Sequence, residues 1–346
     1  MAAARRAPCT IADVAARAGV SPATVSRILS GALRARPQTR ERVLGAVADL
    51  HYRPSGVARS LKLRTTRTLG LIVTDIENPF YPEVVRAIED AALASGLALM
   101  LCNGAEDPER EAAYLELLAG RRVDGIIVAA SRVTARHGRW LAHAPIPIVL
   151  VNCEAEGSGI PAILSDNRAG GRLAAEHLLA LGHRAIGHLT APVSNAAAEL
   201  RLAGVREALS AIGLAPGALA VAEGDGHVAG GERAMAELLA RAPGTTGVVC
   251  YNDLTAIGAM RALREHGLHV PRDVSVVGFD DLDLAAYVDP PLTTVAQQKA
   301  RMGRWAVERL LRRIAGEPGL GGEVVHLDVS LQVRGSTAPR RAGGAS

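Results

Sequence analysis

Eight carboxylate and carboxamide side chains, Asp75, Asn78, Asn152, Asp166, Asn252, Asp253, Asp280 and Asp281, stand at the C-terminal ends of apolar runs that read as β-strands. Oxygen acceptors and amide donors gathered there suit hydrogen bonding to a small polar molecule, because open α/β sheets hold ligands at the carboxyl ends of their strands. Each taken singly reads equally well as a helix N-cap or a turn former. The chain shows no nucleophile–base constellation and no cluster with metal-ligand spacing, so no catalytic residue, metal or cofactor is expected. The glycines of "GDGHVAGG" at 224–231 follow a mid-chain strand and lack the G-x-G-x-x-G spacing of a dinucleotide site. The four cysteines, Cys9, Cys102, Cys153 and Cys250, are far apart and read as free buried thiols.

A second chemistry is written into the first 64 residues. They hold 12 Lys/Arg against 3 Asp/Glu, a net +9, while the remainder holds 27 against 32, a net −5. A basic head on a mildly acidic body implies a polyanionic partner. The stretch "TIADVAARAGVSPATVSRILSG" gives that charge a shape. Thr10 caps a helix from Ile11 to about Ala18, and Gly19 supplies a turn at positive φ. Ser21 caps a second helix with Pro22 at its first position. Ala15, Gly19 and Val25 have helix-turn-helix spacing: a small residue at the crossing, the turn, and a packing residue between the helices. A third helix, about Gln38 to Leu50, completes the core. In this geometry the second helix enters the major groove with Pro22, Ala23 and Arg27 outward. Arg27 can take a guanine bidentately. Thr10, Ser21, Thr24 and Ser26 offer hydroxyls to phosphates, and Arg34 is counted with them as a DNA contact.

The elements that must position the strand-end residues alternate. Strands at 68–76, "LALMLCN", "DGIIVAA" and "IPIVLVN" are separated by helical segments, and the pattern then restarts at "AILSD". Helices are expected at Arg168–Leu181, around Arg201–Ile212, at Gly230–Ala240 and at Leu254–His266, with a long one around Arg301–Ile314 and a β-rich stretch near Glu323–Val333. Near-continuous apolar strands joined by crossover helices imply parallel sheets covered on both faces. The fold class is therefore α/β: an all-α helix-turn-helix head, then two doubly wound parallel-sheet lobes with a ligand cleft between them. No run of about 18 apolar residues is present, and the N-terminus lacks the apolar stretch of a secretory signal, so a cytoplasmic protein is expected.

At this point the sequence resembles the lactose-repressor (LacI/GalR) family of bacterial transcriptional regulators. The resemblance rests on the opening stretch, "YRPSGVARSL", "LGLIVTDIENPFY", "LRLAGVREAL", "NDLTAIGAMRALREHGLHVPRDVSVVGFDD" and "PPLTTVAQ", and covers almost the whole chain. It implies a head over 1–53, a hinge over 54–64 and an effector-binding and dimerisation domain over 65–338. The lobes are then an N-lobe of about 65–164 and 298–326 and a C-lobe of about 165–297 and 327–338, like periplasmic sugar-binding proteins, with a disordered tail at 339–346. In the family the hinge is a short helix in the operator's minor groove; Leu61 matches its wedging leucine and Val57 and Ala58 its groove-facing neighbours. Such a short helix is marginal alone and is expected to order only on DNA beside a partner hinge. For the effector, Arg201 matches the pocket arginine of "RLAG", Asn252 the asparagine of "ND", Asp280 the first aspartate after "GF" and Gln297 the glutamine of "TTxxQ". Phe80 and Tyr81 border the ligand. Arg201 and Asp280 can also simply pair with each other across the cleft.

Gly226 stands where some members carry an aromatic and Asn195 where a purine-responsive member has an arginine, so a sugar or sugar derivative is favoured over a purine. The mechanism implied is a homodimer on a pseudo-palindromic operator, most simply a repressor, with effector closing the lobes and so altering the paired hinges. After Thr337 the chain has no leucine with which to build a tetramerising heptad helix. A periplasmic solute-binding protein would share the body but not the basic head. Activation at some promoters is the alternative within the family.

Overall fold

The computed structural model describes residues 9–30, 35–52, 65–129, 138, 140–141, 143–155, 157–192, 195–214, 217 and 219–340. The chain divides into two units, residues 1–66 and 67–346.

In the first unit, helices α1 (Ile11–Ala18), α2 (Pro22–Leu29) and α3 (Pro37–Asp49) enclose one small core of Val14, Ala15, Ala18, Val25, Ile28, Val43 and Ala46. Every one of these is alanine or a β-branched residue, which lets short helices approach closely. The third helix begins one residue before the sequence expectation because Pro37 takes its first turn, where a missing N–H costs nothing.

The second unit alternates strand and helix. In chain order it runs β1 (Thr68–Val73), α4 (Phe80–Ala94), β2 (Ala98–Asn103), α5 (Pro108–Gly120), β3 (Gly125–Ala129), β4 (Ile148–Val151), β5 (Ala162–Ser165), α6 (Asn167–Ala180), β6 (Ile186–Thr190) and α7 (Ala196–Ala211). It continues with β7 (Ala220–Glu223), α8 (Val228–Arg241), β8 (Gly247–Cys250), α9 (Asp253–Glu265), β9 (Ser275–Asp280), β10 (Thr293–Ala296), α10 (Lys299–Ile314), β11 (Val324–Leu327) and β12 (Ser330–Gln332). Two six-stranded sheets result, ordered β11-β5-β4-β3-β1-β2 and β12-β10-β9-β8-β6-β7. All pairings are parallel except β10 with β12. The inner strands β3, β4, β5, β6, β8 and β9 are buried along their whole length, which is why they read as unbroken apolar runs rather than alternating ones.

The chain passes between the sheets three times: after β5, after β10 and after β11. The single β-rich stretch expected near Glu323–Val333 is in fact two strands in different sheets, β11 beside β5 and β12 beside β10. Helix α7 starts at Ala196, five positions before Arg201, because Asn195 caps it by accepting from the N–H groups of Ala197 and Ala198. The expected loose tail is tied down as far as Arg340, whose N–H donates to Leu181 at 2.9 Å, with Ala338 held by Ser275 and His183. Cys102, Cys153 and Cys250 are buried, whereas Cys9 is half-buried. Among the described residues no helix is long and apolar enough to cross a membrane.

Glycines set the helix crossings of the second lobe. A Cβ on Gly204 in α7 would lie 2.0 Å from the Arg168 carbonyl oxygen of α6, and one on Gly258 in α9 would lie 2.0 Å from that of Val228 in α8. Backbone cannot give way as a side chain can. Gly204→Val is therefore expected to cost about 3 kcal/mol or more in urea unfolding. Gly120→Ala, where nothing lies within 4 Å of the added carbon, is the matched control and should not destabilise.

Candidate functional site

Two places carry polar chemistry. In the head, Thr10 is extended (φ −103°, ψ 165°), and its backbone N–H and hydroxyl each meet Asp13 Oδ2 at 2.8 Å. Those bonds from Thr10 hold the Asp13 carboxyl below its ordinary range. Gly19 lies at φ 64°, ψ 41°, and the Val20 N–H returns to the Ala15 carbonyl at 3.0 Å, closing the turn. The Ser21 hydroxyl accepts from the Thr24 N–H and lies 2.9 Å from the Thr24 hydroxyl. Arg17 and Asp49 tie α1 to α3 at 3.0 Å. This leaves Pro22, Ala23 and Arg27 exposed on one face of α2, with Thr24 and Ser26 half-buried beside them. Arg34, and the expected hinge with Val57, Ala58 and Leu61, lie outside the described residues.

In the second unit a cavity of about 250 Å³ opens between the two sheets. Tyr81, Asn78, Glu106 and Glu111 line it from the first lobe; Asn195, Asp225, His227, Tyr251 and Asn252 line it from the second. Asn252 caps α9, accepting from the Thr255 N–H at 2.8 Å, and donates to the Gly226 carbonyl at 2.8 Å. Burial opposes ionisation of Asp225, but the His227 N–H and the Arg233 guanidinium outweigh it and hold the carboxyl below its ordinary range. Burial pushes the Tyr81 and Tyr251 phenols up, so both stay protonated donors at neutral pH. Asp75, Glu106 and His227 each place a ligand atom within 4.8 Å of the others at the cleft, and His227 Nε2 stands 3.6 Å from Glu106 Oε1. No sequence spacing announced that grouping, because the lobes bring its members together.

Behind the cavity wall lies a buried polar cluster. Arg201 donates to Asn167 Oδ1 at 2.9 Å and to the Tyr251 carbonyl at 2.5 Å, and stands 3.8 Å from Asp280 Oδ1. Its guanidinium carbon is 3.6 Å from the centre of the Phe279 ring and 4.7 Å from that of Tyr251. Gln297 donates to Asp280 Oδ1 at 2.6 Å. Lys299 donates to the carbonyls of Asp280 and Asp281 and pairs with Glu83 at 2.9 Å. Among the described residues four buried side-chain oxygens, Asn152 Oδ1, Ser165 Oγ, Thr255 Oγ1 and Gln297 Oε1, have no hydrogen-bond partner.

Of the six effector residues expected from the sequence, Tyr81 and Asn252 line the cavity. Arg201, Asp280 and Gln297 are not among its lining residues; they form the buried cluster, which Arg201 joins to the lining residue Tyr251. Phe80 sits in the first lobe's core, edge-on to Tyr81 with ring centres 5.3 Å apart. Sequence reasoning missed Tyr251, Asp225, His227 and Glu106 as lining residues. Tyr251 immediately precedes the "ND" pair, and Asp225 and His227 flank Gly226, the one position of the glycine stretch that the sequence related to the effector.

Asp253 ends this network. It accepts from the Thr294 hydroxyl and the Leu282 N–H, and burial, reinforced by the Asp280 charge, pushes its carboxyl up to about 8. The folded state thus keeps a proton that the unfolded chain loses near its ordinary value of 3.8. Stability should fall as pH rises between those values, by up to about 1.4 kcal/mol per pH unit, and level off above them. Asp253→Asn can still accept from the Leu282 N–H through its amide oxygen and donate to the Thr294 hydroxyl instead of accepting from it, and with no titratable group it should flatten that slope, as urea unfolding at pH 5, 6.5 and 8 would show.

A basic helix-turn-helix followed by a two-lobed small-molecule domain defines a ligand-responsive DNA-binding regulator. Residues 10–55 match the model of bacterial regulatory proteins of the lacI family, and residues 175–337 that of the periplasmic binding protein-like domain. The HTH-type transcriptional repressor PurR of Mannheimia succiniciproducens is 37% identical over 328 residues, covering 94% of this chain and 98% of that protein. The lac repressor dimer bound to operator and the anti-inducer ONPF superposes with a TM-score of 0.86 at 32% identity, covering 96% of this chain and 99% of that one. The complex of the transcriptional regulator CelR with cellobiose gives 0.72 at 34% identity, covering 95% and 99%. The chain belongs to the LacI family. It is an effector-controlled, DNA-binding transcriptional repressor and not an enzyme, in a family that binds operator DNA and forms dimers.

Proposed function

We propose that the effector is a neutral, hydroxyl-rich small molecule, a sugar or sugar derivative, held between the lobes. The observation that carries this is the lining of the cavity: the carboxamides of Asn78, Asn195 and Asn252, the phenols of Tyr81 and Tyr251 and the carboxylates of Glu106, Glu111 and Asp225, with no Lys or Arg among the described lining residues. Carboxylate and carboxamide oxygens accept hydrogen bonds, and a polyol brings hydroxyl donors to them. Tyr81 and Asn252 would touch it directly, with Arg201, Asp280 and Gln297 shaping or completing the site and Phe80 bracing Tyr81. CelR with cellobiose is a structural relative of the same architecture.

On the DNA side, Pro22, Ala23 and Arg27 read base edges in the major groove, and Thr10, Ser21, Thr24, Ser26 and Arg34 position the head on phosphates. Val57, Ala58 and Leu61 occupy the minor groove. Exposed Leu93, Met100 and Leu101 on the first lobe and Leu284 and Tyr287 on the second supply apolar faces for a homodimer. The protein acts in the cytoplasm, where its operator is.

Selection of DNA from a random pool at fixed salt, with the full chain and Leu61→Ala, tests the DNA half. The expected result is a pseudo-palindrome with a flexible central step, bound less well by the variant. Binding without a consensus that vanishes as salt rises would reduce the head to an electrostatic tether. The recovered operator, titrated in the presence of sugars and purines, then tests the effector half.

A further inference from the structure

The cavity wall depends on a trade of space between two positions. Gly226 sits at φ 85°, and a Cβ there would lie 3.4 Å from Cε1 and 3.8 Å from Cδ1 of Tyr251. The Tyr251 ring thus occupies the room that a side chain at 226 would claim. Its orientation is fixed from two directions. Asn195 Nδ2 donates to the phenol oxygen at 2.7 Å, and Asn195 is itself pinned by capping α7. The Arg201 guanidinium lies behind the ring and donates to the Tyr251 carbonyl.

Two consequences follow. The phenol oxygen accepts from Asn195, so its own proton remains available to a ligand. Tyr251 lines the cavity, whereas Arg201, whose guanidinium carbon is 4.7 Å from the centre of the Tyr251 ring, is not among the lining residues. Among the described lining residues there is no Lys or Arg, whereas Glu106, Glu111 and Asp225 bring carboxylates.

We propose that Tyr251, held by Asn195 and admitted by Gly226, is the specificity-determining wall of the effector cavity: it stacks on a ring-shaped neutral ligand, donates one O–H to it, and screens Arg201 so that anionic relatives of the ligand are refused. This rests on the reading above that the effector occupies this cavity. Aromatic faces suit the apolar face of a sugar ring, and carboxylates take its hydroxyls while repelling phosphate or carboxylate groups.

The test measures ligand affinity by calorimetry on the full chain, using glucose, galactose, ribose, cellobiose and adenosine beside glucose 6-phosphate, ribose 5-phosphate and adenosine monophosphate. The wild type should bind at least one neutral compound and none of the phosphate esters. Tyr251→Ala should weaken that binding by about 10-fold or more, and Tyr251→Phe by less. Asn195→Ser, which keeps a cap for α7 but cannot reach the phenol, should fall between the wild type and Tyr251→Ala. Unliganded melting midpoints check folding, and Asn195→Ser and Tyr251→Phe carry the test if Tyr251→Ala does not fold. His227→Trp, at the cavity rim, separates the two layers of the argument. A ligand lost in His227→Trp but indifferent to all three other variants leaves the cavity as the site and overturns the wall. A ligand indifferent to every variant overturns the cavity itself. Binding of the phosphate esters, or of none of the neutral compounds, overturns the ligand class.

Discussion

Arg201→Met is expected to lose about 3–5 kcal/mol of the effector domain's stability, because it removes one partner of a buried ion pair and leaves the other behind. The residue is 3% exposed, and methionine keeps apolar bulk against Phe279 while deleting every bond the guanidinium makes. Asn167 Oδ1 and the Tyr251 carbonyl lose their donor, and Asp280 loses its nearest guanidinium. Burial already pushes the Asp280 carboxyl up, with Arg201 and then Lys299 opposing it, so the variant should also take up a proton at a higher pH than the wild type. Lys299 does not replace Arg201, since its ammonium is spent on two carbonyls and on Glu83. Adding Asp280→Asn to Arg201→Met removes the stranded charge and should recover about 1 kcal/mol or more, a coupling that a double-mutant cycle in urea measures directly. A single-variant loss below about 1 kcal/mol would mean that the cluster is not an integrated part of the fold.

That cluster also shows where a sequence stops being legible. The alternation of strands and helices could be read because burial on both faces makes each inner strand a continuous apolar run, a local signal. The start of α7 could not, because its first turn is Ala-rich and featureless and is set by Asn195, whose capping role shows only once the helix exists. The stretch at Glu323–Val333 looked like one element because nothing in its composition says that its halves belong to different sheets. Gly204, in a motif noted for its arginine, turns out to be the point where α6 and α7 touch backbone to backbone. Pairing of Arg201 with Asp280 was foreseeable from charge alone; that Tyr251 would line the cavity with Arg201 against its ring was not. That arrangement depends on the missing side chain at 226, a long-range complementarity with no period or spacing. The grouping of Asp75, Glu106 and His227 across the cleft was hidden for the same reason. The head was the most legible part, since caps, turn and core spacing are all local.

Because the head's polar groups are mostly spent on its own architecture, Arg27 should dominate base recognition. Thr10 and Asp13 satisfy each other, and Ser21 and Thr24 do the same, so three of the four hydroxyls proposed to meet phosphates already fix helix ends. Pro22 and Ala23 are exposed but have no side-chain donor, which leaves them apolar contact with thymine methyls or shape. Arg27 is exposed on the same face and carries a fork of donors matched to guanine. Arg27→Ala is therefore expected to weaken binding to the selected operator by about 1–3 kcal/mol per half-site and to relax preference at one symmetric pair of positions. Ser21→Ala should instead lower head stability by about 1 kcal/mol and weaken all sequences alike. Fluorescence anisotropy on the operator and its single-base variants, at two salt concentrations, separates the two roles. If Arg27→Ala weakens every sequence equally and lowers the salt slope by about one, Arg27 holds a phosphate. Base choice would then rest on the apolar contacts of Pro22 and Ala23 and on how readily the operator deforms.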